Sequence, residues 1–235
     1  MTWQINLKPN MENKKNYGIE FEFFVLDKDG VVVPAYTATP NLDGNPVIGE
    51  IKTGVHNSIV DCVFELKKLI YLEKTSLETK GFTMDVSPKK TVSDDFLKSL
   101  RQSHGFVDSK HLEVLKELSV YPNGRTSRPL RRQDFTASLQ INFSQTRDIT
   151  VPHYELITVE DKHRYEKSNE VKSHSVVFDY LTTIFSLDES FRDEIDESHR
   201  VKGVYAIKDG ILGDRIEYRS LPNNIDLDKI ITKMV

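Results

Sequence analysis

Residues 17–25 read YGIEFEFFV, and the fold is decided there. Tyr17, Ile19, Phe21, Phe23 and Val25 fall on one side and Gly18, Glu20, Glu22 and Phe24 on the other, the period of two that a pleated strand produces. The first side is wholly apolar and asks for a covering layer. The second combines two carboxylates with a glycine and a phenylalanine, an odd mixture for a side turned to water.

Downstream, Asp27-Lys28-Asp29-Gly30 is a turn signal, and the following VVVPAY reads as the return strand of a hairpin. Pro34 lacks a backbone donor and favours an edge position for that strand. A second turn at Asp43-Gly44 leads into VIGEIKT, a short strand with Glu50 and Lys52 on one face. From Asn57 the period changes to helical: Ile59, Cys62, Val63, Leu66, Leu69, Ile70 and Leu77 make one stripe, with Asn57 or Ser58 as N-cap and Cys62 as a core residue. A second helix is expected after Ser93, with Asp94 and Asp95 in its first turn and Gly105 as its stop, and a third over Ser109 to Leu118.

Beyond the basic loop GRTSRPLRRQ, the stretch DFTASLQINFS alternates again. Phe135, Ala137, Leu139, Ile141 and Phe143 oppose Thr136, Ser138, Gln140, Asn142 and Ser144. Residues 145–173 are charged and weakly patterned, which suggests an irregular insertion or lid, with VPHYELITV as a strand candidate inside it. Ser175 to Phe185 has helical amphipathicity. VKGVYAIK and ILGDRIEYRSL around an Asp209-Gly210 turn form an antiparallel hairpin that puts Arg215, Glu217 and Arg219 on one face. Strands and helices in this order describe an α+β chain.

With 235 residues, 38% of them hydrophobic and 29% charged, the chain has ample material for a core, which excludes a disordered tail, collagen and a coiled coil. The net charge of −4 gives no basic field for nucleic acid. A lone cysteine excludes an internal disulfide and a multi-cysteine zinc site, and fits a reducing compartment. No apolar run is long enough to span a bilayer and the N-terminal residues lack a signal-like apolar core, so a cytoplasmic protein with no membrane or nucleic-acid partner is expected.

Several groups of residues offer chemistry. Glu20 and Glu22, at i and i+2 on a strand, put two carboxylates on one side roughly 7 Å apart, a spacing that suits shared hard cations and equally a solvated amphipathic strand. Arg215, Glu217 and Arg219 pair a possible metal ligand with phosphate-binding guanidiniums, or simply form cross-strand salt bridges. The neutral row Ser138, Gln140 and Asn142 either lines a polar site or is ordinary sheet surface. Arg125, Arg128, Arg131 and Arg132 suit phosphate or carboxylate ligands, or are surface charge. There is no HExxH, Walker A or GxGxxG motif, so neither zinc hydrolysis nor a familiar phosphate cradle has support.

Taken in order, four pieces resemble the carboxylate–amine ligase superfamily of glutamine synthetase and glutamate–cysteine ligase, most closely its compact phage-type amidoligases. They are Gly18-Ile19-Glu20-Phe21-Glu22-Phe23; Asp43-Gly44 followed by Glu50; Ser138-Leu139-Gln140-Ile141-Asn142; and Glu217-Tyr218-Arg219-Ser220-Leu221-Pro222-Asn223. The resemblance covers most of residues 16–224. It implies one amidoligase-like domain over 1–235, built on a curved antiparallel sheet with flanking helices, that uses ATP and Mg²⁺. Glu20, Glu22, Glu50 and Glu217 would be the metal ligands, Arg219 would contact the transferred phosphoryl group, and Arg219 and Glu50 would be the catalytic pair. Arg215, Arg132, Ser138, Gln140 and Asn142 are expected near the nucleotide. The implied reaction joins a small-molecule or peptide carboxylate to an amine through an acyl phosphate, in host cytoplasm if phage-encoded. One departure matters: the family's central strand usually reads Gly-x-His-x-His, and here it reads Ser138-x-Gln140-x-Asn142. Amide oxygens are weaker Mg²⁺ ligands, which leaves open a non-catalytic relative that binds a nucleotide or a protein partner, such as a virion or host-interaction module.

Overall fold

The computed structural model describes residues 15–42, 47–104, 134–145, 156–158, 175–198, 204–208 and 215–235. The quoted stretch lies within β1 (Lys15–Leu26), the strand around which the rest is arranged. Glu20 is partnered at once by Lys52 of β3 (Ile48–Lys52) and by Gln140 of β7 (Ser138–Gln145), so β3 and β7 flank opposite edges of β1. Further along, Phe24 is partnered by Ile48 and by Asp85 of β4 (Thr83–Asp85), which puts β4 on the β7 edge. The sheet continues from β7 through β10 (Arg215–Pro222) and β9 (Val204–Lys208) to β8 (Leu156–Thr158), and every pairing is antiparallel. An α+β chain is what the alternating and helical periods lead one to expect.

The first hairpin forms as expected but returns only briefly. Asp27 Oδ1 accepts from the N–H groups of Asp29 and Val31, and Gly30 takes a φ of 76°, the left-handed conformation that glycine adopts without strain. β2 (Val32–Val33) then pairs with β1 for two residues at the sheet edge before Pro34 leads into a 3-10 turn over Ala35–Thr37. The expected strand over VVVPAY is therefore shortened, because proline supplies no donor to extend the ladder. Asp43-Gly44, Gly105, Ser109 to Leu118 and the Asp209-Gly210 turn lie outside the described residues.

Two cores occupy the two faces of β1. On the first, Ile19, Phe21, Phe23 and Val25 meet Leu139, Ile141, Phe143, Ile216 and Tyr218 from neighbouring strands. Covering them is α1 (Ile59–Thr79), whose buried residues Ile59, Cys62, Val63, Leu66 and Leu77 are members of the expected stripe. Ser58 caps this helix by accepting from the Val60 and Asp61 N–H groups. Residues of α3 (Ser175–Ser190), α4 (Arg192–Glu197) and α5 (Leu227–Met234) close the same side, with Ile184, Leu187, Ile195 and Ile230 buried. Gly49 is required by this packing: a Cβ there would lie 2.3 Å from the Phe23 ring, so only hydrogen lets the ring settle across β3.

The second core sits on the face that carries the glutamates. Phe24, Val47 and Ile48 pack with Val92, Phe135, Ala137 and with Leu97 and Leu100 of α2 (Asp94–His104), beside a two-stranded antiparallel sheet of β5 (Lys89–Thr91) and β6 (Asp134–Thr136). This corrects the reading of DFTASLQINFS as one strand on one core. The chain breaks at Ala137, whose N–H goes to the Pro88 carbonyl, and Phe135 and Ala137 join the second core while Leu139, Ile141 and Phe143 join the first. Phe24 is thereby explained, since one end of the carboxylate face is a packed interior.

Candidate functional site

Adjacent to that second core, four strands in the order β3, β1, β7, β10 bring their polar residues to one face. Across the ladder, Lys52 opposes Glu20 and Glu20 opposes Gln140; Glu50 opposes Glu22; Gly18 opposes Asn142 and Asn142 opposes Glu217. Period-two alternation then carries Ser138 to the same side. The face is shut away from water: relative exposures are 7% for Glu22, 5% for Glu50, 0% for Glu217, 1% for Ser138, 7% for Gln140 and 9% for Asn142. The alternative of a solvated amphipathic strand does not describe these residues.

Buried charge is tolerated only when it is paired and hydrogen-bonded, and each carboxylate here has found company. Glu22 Oε2 accepts from the Ser138 backbone N–H at 2.6 Å and from its hydroxyl at 2.7 Å, while Gln140 Nε2 donates to Glu22 Oε1 at 2.8 Å. Lys52 Nζ reaches in from the edge to Glu50 Oε2 at 2.6 Å and lies 3.7 Å from Glu20 Oε2. The guanidinium of Arg219 clasps Glu217 Oε1 through both its Nε and a terminal nitrogen. The register shift between Tyr218 and Leu221 surrounds Arg219, where a bulge re-aims a side chain.

Glu20 is held more loosely, by Asn142 Nδ2 at 3.4 Å. With both amide NH₂ groups turned to carboxylates, the oxygens Gln140 Oε1 and Asn142 Oδ1 are buried and without a hydrogen-bond partner among the described residues. Such an atom is a waiting acceptor, since leaving it dry disfavours the fold.

Of the expected site residues, Glu20, Glu22, Glu50, Glu217, Arg219, Ser138, Gln140 and Asn142 come together on adjoining strands. Arg215 opposes Ser144 in the ladder, and of this residue the structure describes the backbone alone. Arg125, Arg128, Arg131 and Arg132 lie outside the described residues, as does most of 145–173, although Leu156–Thr158 within it forms β8. Among the described residues, no three His, Cys, Asp or Glu side chains approach one another closely enough to hold a metal ion. None of the described helices is long and apolar enough to cross a membrane.

Sequence reasoning overlooked three contributors. Lys52 was visible beside Glu50 but was given no role, yet it pairs with that carboxylate. Asn223 Nδ2 donates to the Glu22 backbone carbonyl at 2.9 Å, a contact between residues far apart in sequence that no local pattern announces. On the opposite side, the Tyr218 hydroxyl donates to buried Asp188, a partner that any buried tyrosine tip requires. Cys62 is core, as its stripe position indicates: burial pushes its thiol up to about 11, far from nucleophilic use.

Protein-family models give no match to this sequence, and neither do the curated proteins.

Proposed function

We propose that the chain is an ATP- and Mg²⁺-dependent ligase that joins a carboxylate to an amine. The observation that carries this reading is the meeting of Glu20, Glu22, Glu50 and Glu217 with Arg219 on four adjoining strands of one antiparallel sheet. These residues are dispersed over the sequence, and an ordinary sheet surface has no reason to gather them and to bury Glu22, Glu50 and Glu217. A glutamine synthetase-like course of the sheet and a single amidoligase domain belong to the same proposal.

The donor set is oxygen-only, which suits Mg²⁺ by ligand type, and the buried amide oxygens of Gln140 and Asn142 beside it have no hydrogen-bond donor among the described residues. Glu20, Glu22, Glu50 and Glu217 would hold the metal only by drawing closer together, since among the described residues no three such side chains are near enough to share an ion. Mg²⁺, when bound, would supply charge neutralisation to the polyphosphate of ATP. Lys52 and Arg219, now paired with Glu50 and Glu217, are the positive groups that a polyphosphate would draw outward, so each carboxylate exchanges one cationic partner for another. Arg219 is then placed to hold phosphoryl oxygens through its planar fork. In the proposed reaction a carboxylate oxygen takes the terminal phosphoryl group and ADP leaves; the neutral amine nitrogen then forms the C–N bond as the C–O bond to phosphate breaks, its proton passing to the departing phosphate or to water.

ADP release from Mg²⁺·ATP with a panel of amino acids and diamines tests this. Turnover is expected for the wild type, and Arg219→Lys is expected to lower it by roughly 10²–10³ with nucleotide affinity within a few-fold, as when an electrostatic contact made in the transition state is lost. A second reading, a non-catalytic nucleotide- or protein-binding relative, is favoured by the engagement of Glu22, Glu50 and Glu217 with protein donors. Tight Mg²⁺·ATP binding without turnover for any acceptor selects it.

A further inference from the structure

We propose that Asn223 is a positioning residue for the polar face: by occupying the main-chain carbonyl of Glu22 it releases the Ser138 N–H to the Glu22 carboxylate, and so fixes where that carboxylate stands. The inference deepens the ligase reading. It rests on that reading for the use made of Glu22 and not for the contact itself.

The need for such a residue arises from a gap in the sheet. On the edge of β1 that faces β7, the ladder runs from Lys15 to Phe21, and β4 takes up the same edge only at Phe24. Glu22 and Phe23 fall between the two strands. One further step of the β1–β7 register would set Glu22 opposite Ser138, but the pairing stops at Leu139, and at Ala137 the chain has already turned its N–H to the Pro88 carbonyl. A buried carbonyl that loses its ladder donor must find another or disfavour the fold. Asn223, just past the end of β10, supplies it: Nδ2 donates to the Glu22 carbonyl at 2.9 Å, and both residues are buried.

A carbonyl oxygen only accepts, so the Asn223 amide must turn its NH₂ group to Glu22. Its own oxygen is then buried with no hydrogen-bond donor among the described residues, a cost that leucine at this position would avoid. What the residue contributes is therefore the bond it donates. With the carbonyl occupied, the Ser138 N–H goes to the Glu22 side chain, reaching Oε2 at 2.6 Å beside the Ser138 hydroxyl at 2.7 Å, while Gln140 Nε2 reaches Oε1 at 2.8 Å. Glu22 is gripped at both ends, its main chain by Asn223 and its carboxylate by β7. Asn223 lies four residues beyond Arg219 and past the register shift of β10, so the stretch that carries Glu217 and Arg219 also holds the backbone of Glu22. The bond thus ties a carboxylate of the proposed metal site to the guanidinium that the same reading sets against the phosphoryl group.

Proton–nitrogen NMR spectra of the full chain at neutral pH read the Ser138 N–H and the Gln140 side-chain amide, whose bonds to a carboxylate are charge-assisted. Asn223→Leu removes the donor at similar volume, and Asn223→Asp sets an oxygen against the carbonyl at the same size. In each, both signals are expected to move upfield as the bonds to Glu22 lengthen. Leu77→Ala opens a cavity in the apolar core under α1 and controls for general loss of stability; it is expected to leave both signals in place. In ADP release from Mg²⁺·ATP, the Asn223 variants are expected to lose about tenfold to a hundredfold in kcat with KM for ATP within a few-fold, the loss that slight misplacement of a reacting group produces. If one variant fails to fold, the other decides. Wild-type signal positions in a folded Asn223 variant, the same movement in Leu77→Ala, or undiminished ADP release overturns the proposal. Signals that depend on Asn223 in a wild-type protein that releases no ADP remove the ligase reading and leave the placement of Glu22 by Asn223 standing.

Discussion

Phe21 and Phe23 leave β1 on one side and Glu20 and Glu22 on the other; the first side is interior throughout, and on the second Glu22 is buried while Glu20 is half-buried. The apolar side is closed by α1 and explains itself, because burying aromatic and aliphatic area is what drives folding. On the polar side Glu22, Glu50, Glu217, Ser138, Gln140 and Asn142 are buried as well, yet they gain little over water and lose their hydration. One face therefore makes the sheet stable and the other is kept despite its cost, a division that points to selection for binding or chemistry on the polar face.

The largest effect that sharpens this contrast is expected at Phe23. Phe23→Ala removes a fully buried ring and should cost about 3–5 kcal/mol in urea denaturation. A loss below 1 kcal/mol would mean that the α1-covered face is not the main support. On the polar side, Glu22→Ala deprives the Ser138 N–H, the Ser138 hydroxyl and the Gln140 amide of their acceptor, with an expected loss of about 1–3 kcal/mol. A cost equal to that of Phe23→Ala would erase the difference between the faces.

The smallest effect lies at the end of the face, where His56 Nε2 and Glu65 Oε2 are 2.6 Å apart and Glu65 also accepts from the Gly54 N–H at 2.8 Å. The hydrogen bond from His56 holds the Glu65 carboxyl below the usual glutamate range, burial opposing it less strongly. A depressed carboxyl pKa contributes stability that is complete above the unfolded-state value and disappears as pH falls through the folded-state value. Stability measured from neutral pH down into the acid range should therefore decline less steeply in Glu65→Gln than in the wild type. Identical slopes would show that this contact does not tie the 53–56 segment to α1.

Much of the fold was legible because its signals are local. The alternation of 17–25 and 138–143, the stripe from Ile59 to Leu77 and the Ser58 cap each depend on neighbours in sequence and form as read, whereas the run through 135–137 breaks away to the second core. The candidate site was legible only as parts. Glu20, Glu50, Gln140 and Glu217 lie on four different strands, and each alone is an ordinary polar residue. Asn223 capping the Glu22 carbonyl had no signal of its own, because that contact spans 201 positions.

By itself, then, the sequence determined the central strands of the sheet and the α1 and α2 helices, that Cys62 is interior, and which side of those strands carries the polar residues, since the pleat and the helical turn tie side-chain direction to position along the chain; β4, β5, α4 and α5 carried no such signal. The tertiary structure alone decided that the polar sides of β3, β1, β7 and β10 come together, that Lys52 and Arg219 neutralise Glu50 and Glu217, and that the amide oxygens of Gln140, Asn142 and Asn223 have no hydrogen-bond donor among the described residues. Those outcomes follow from strand order and register, and no local period encodes which strand lies beside which.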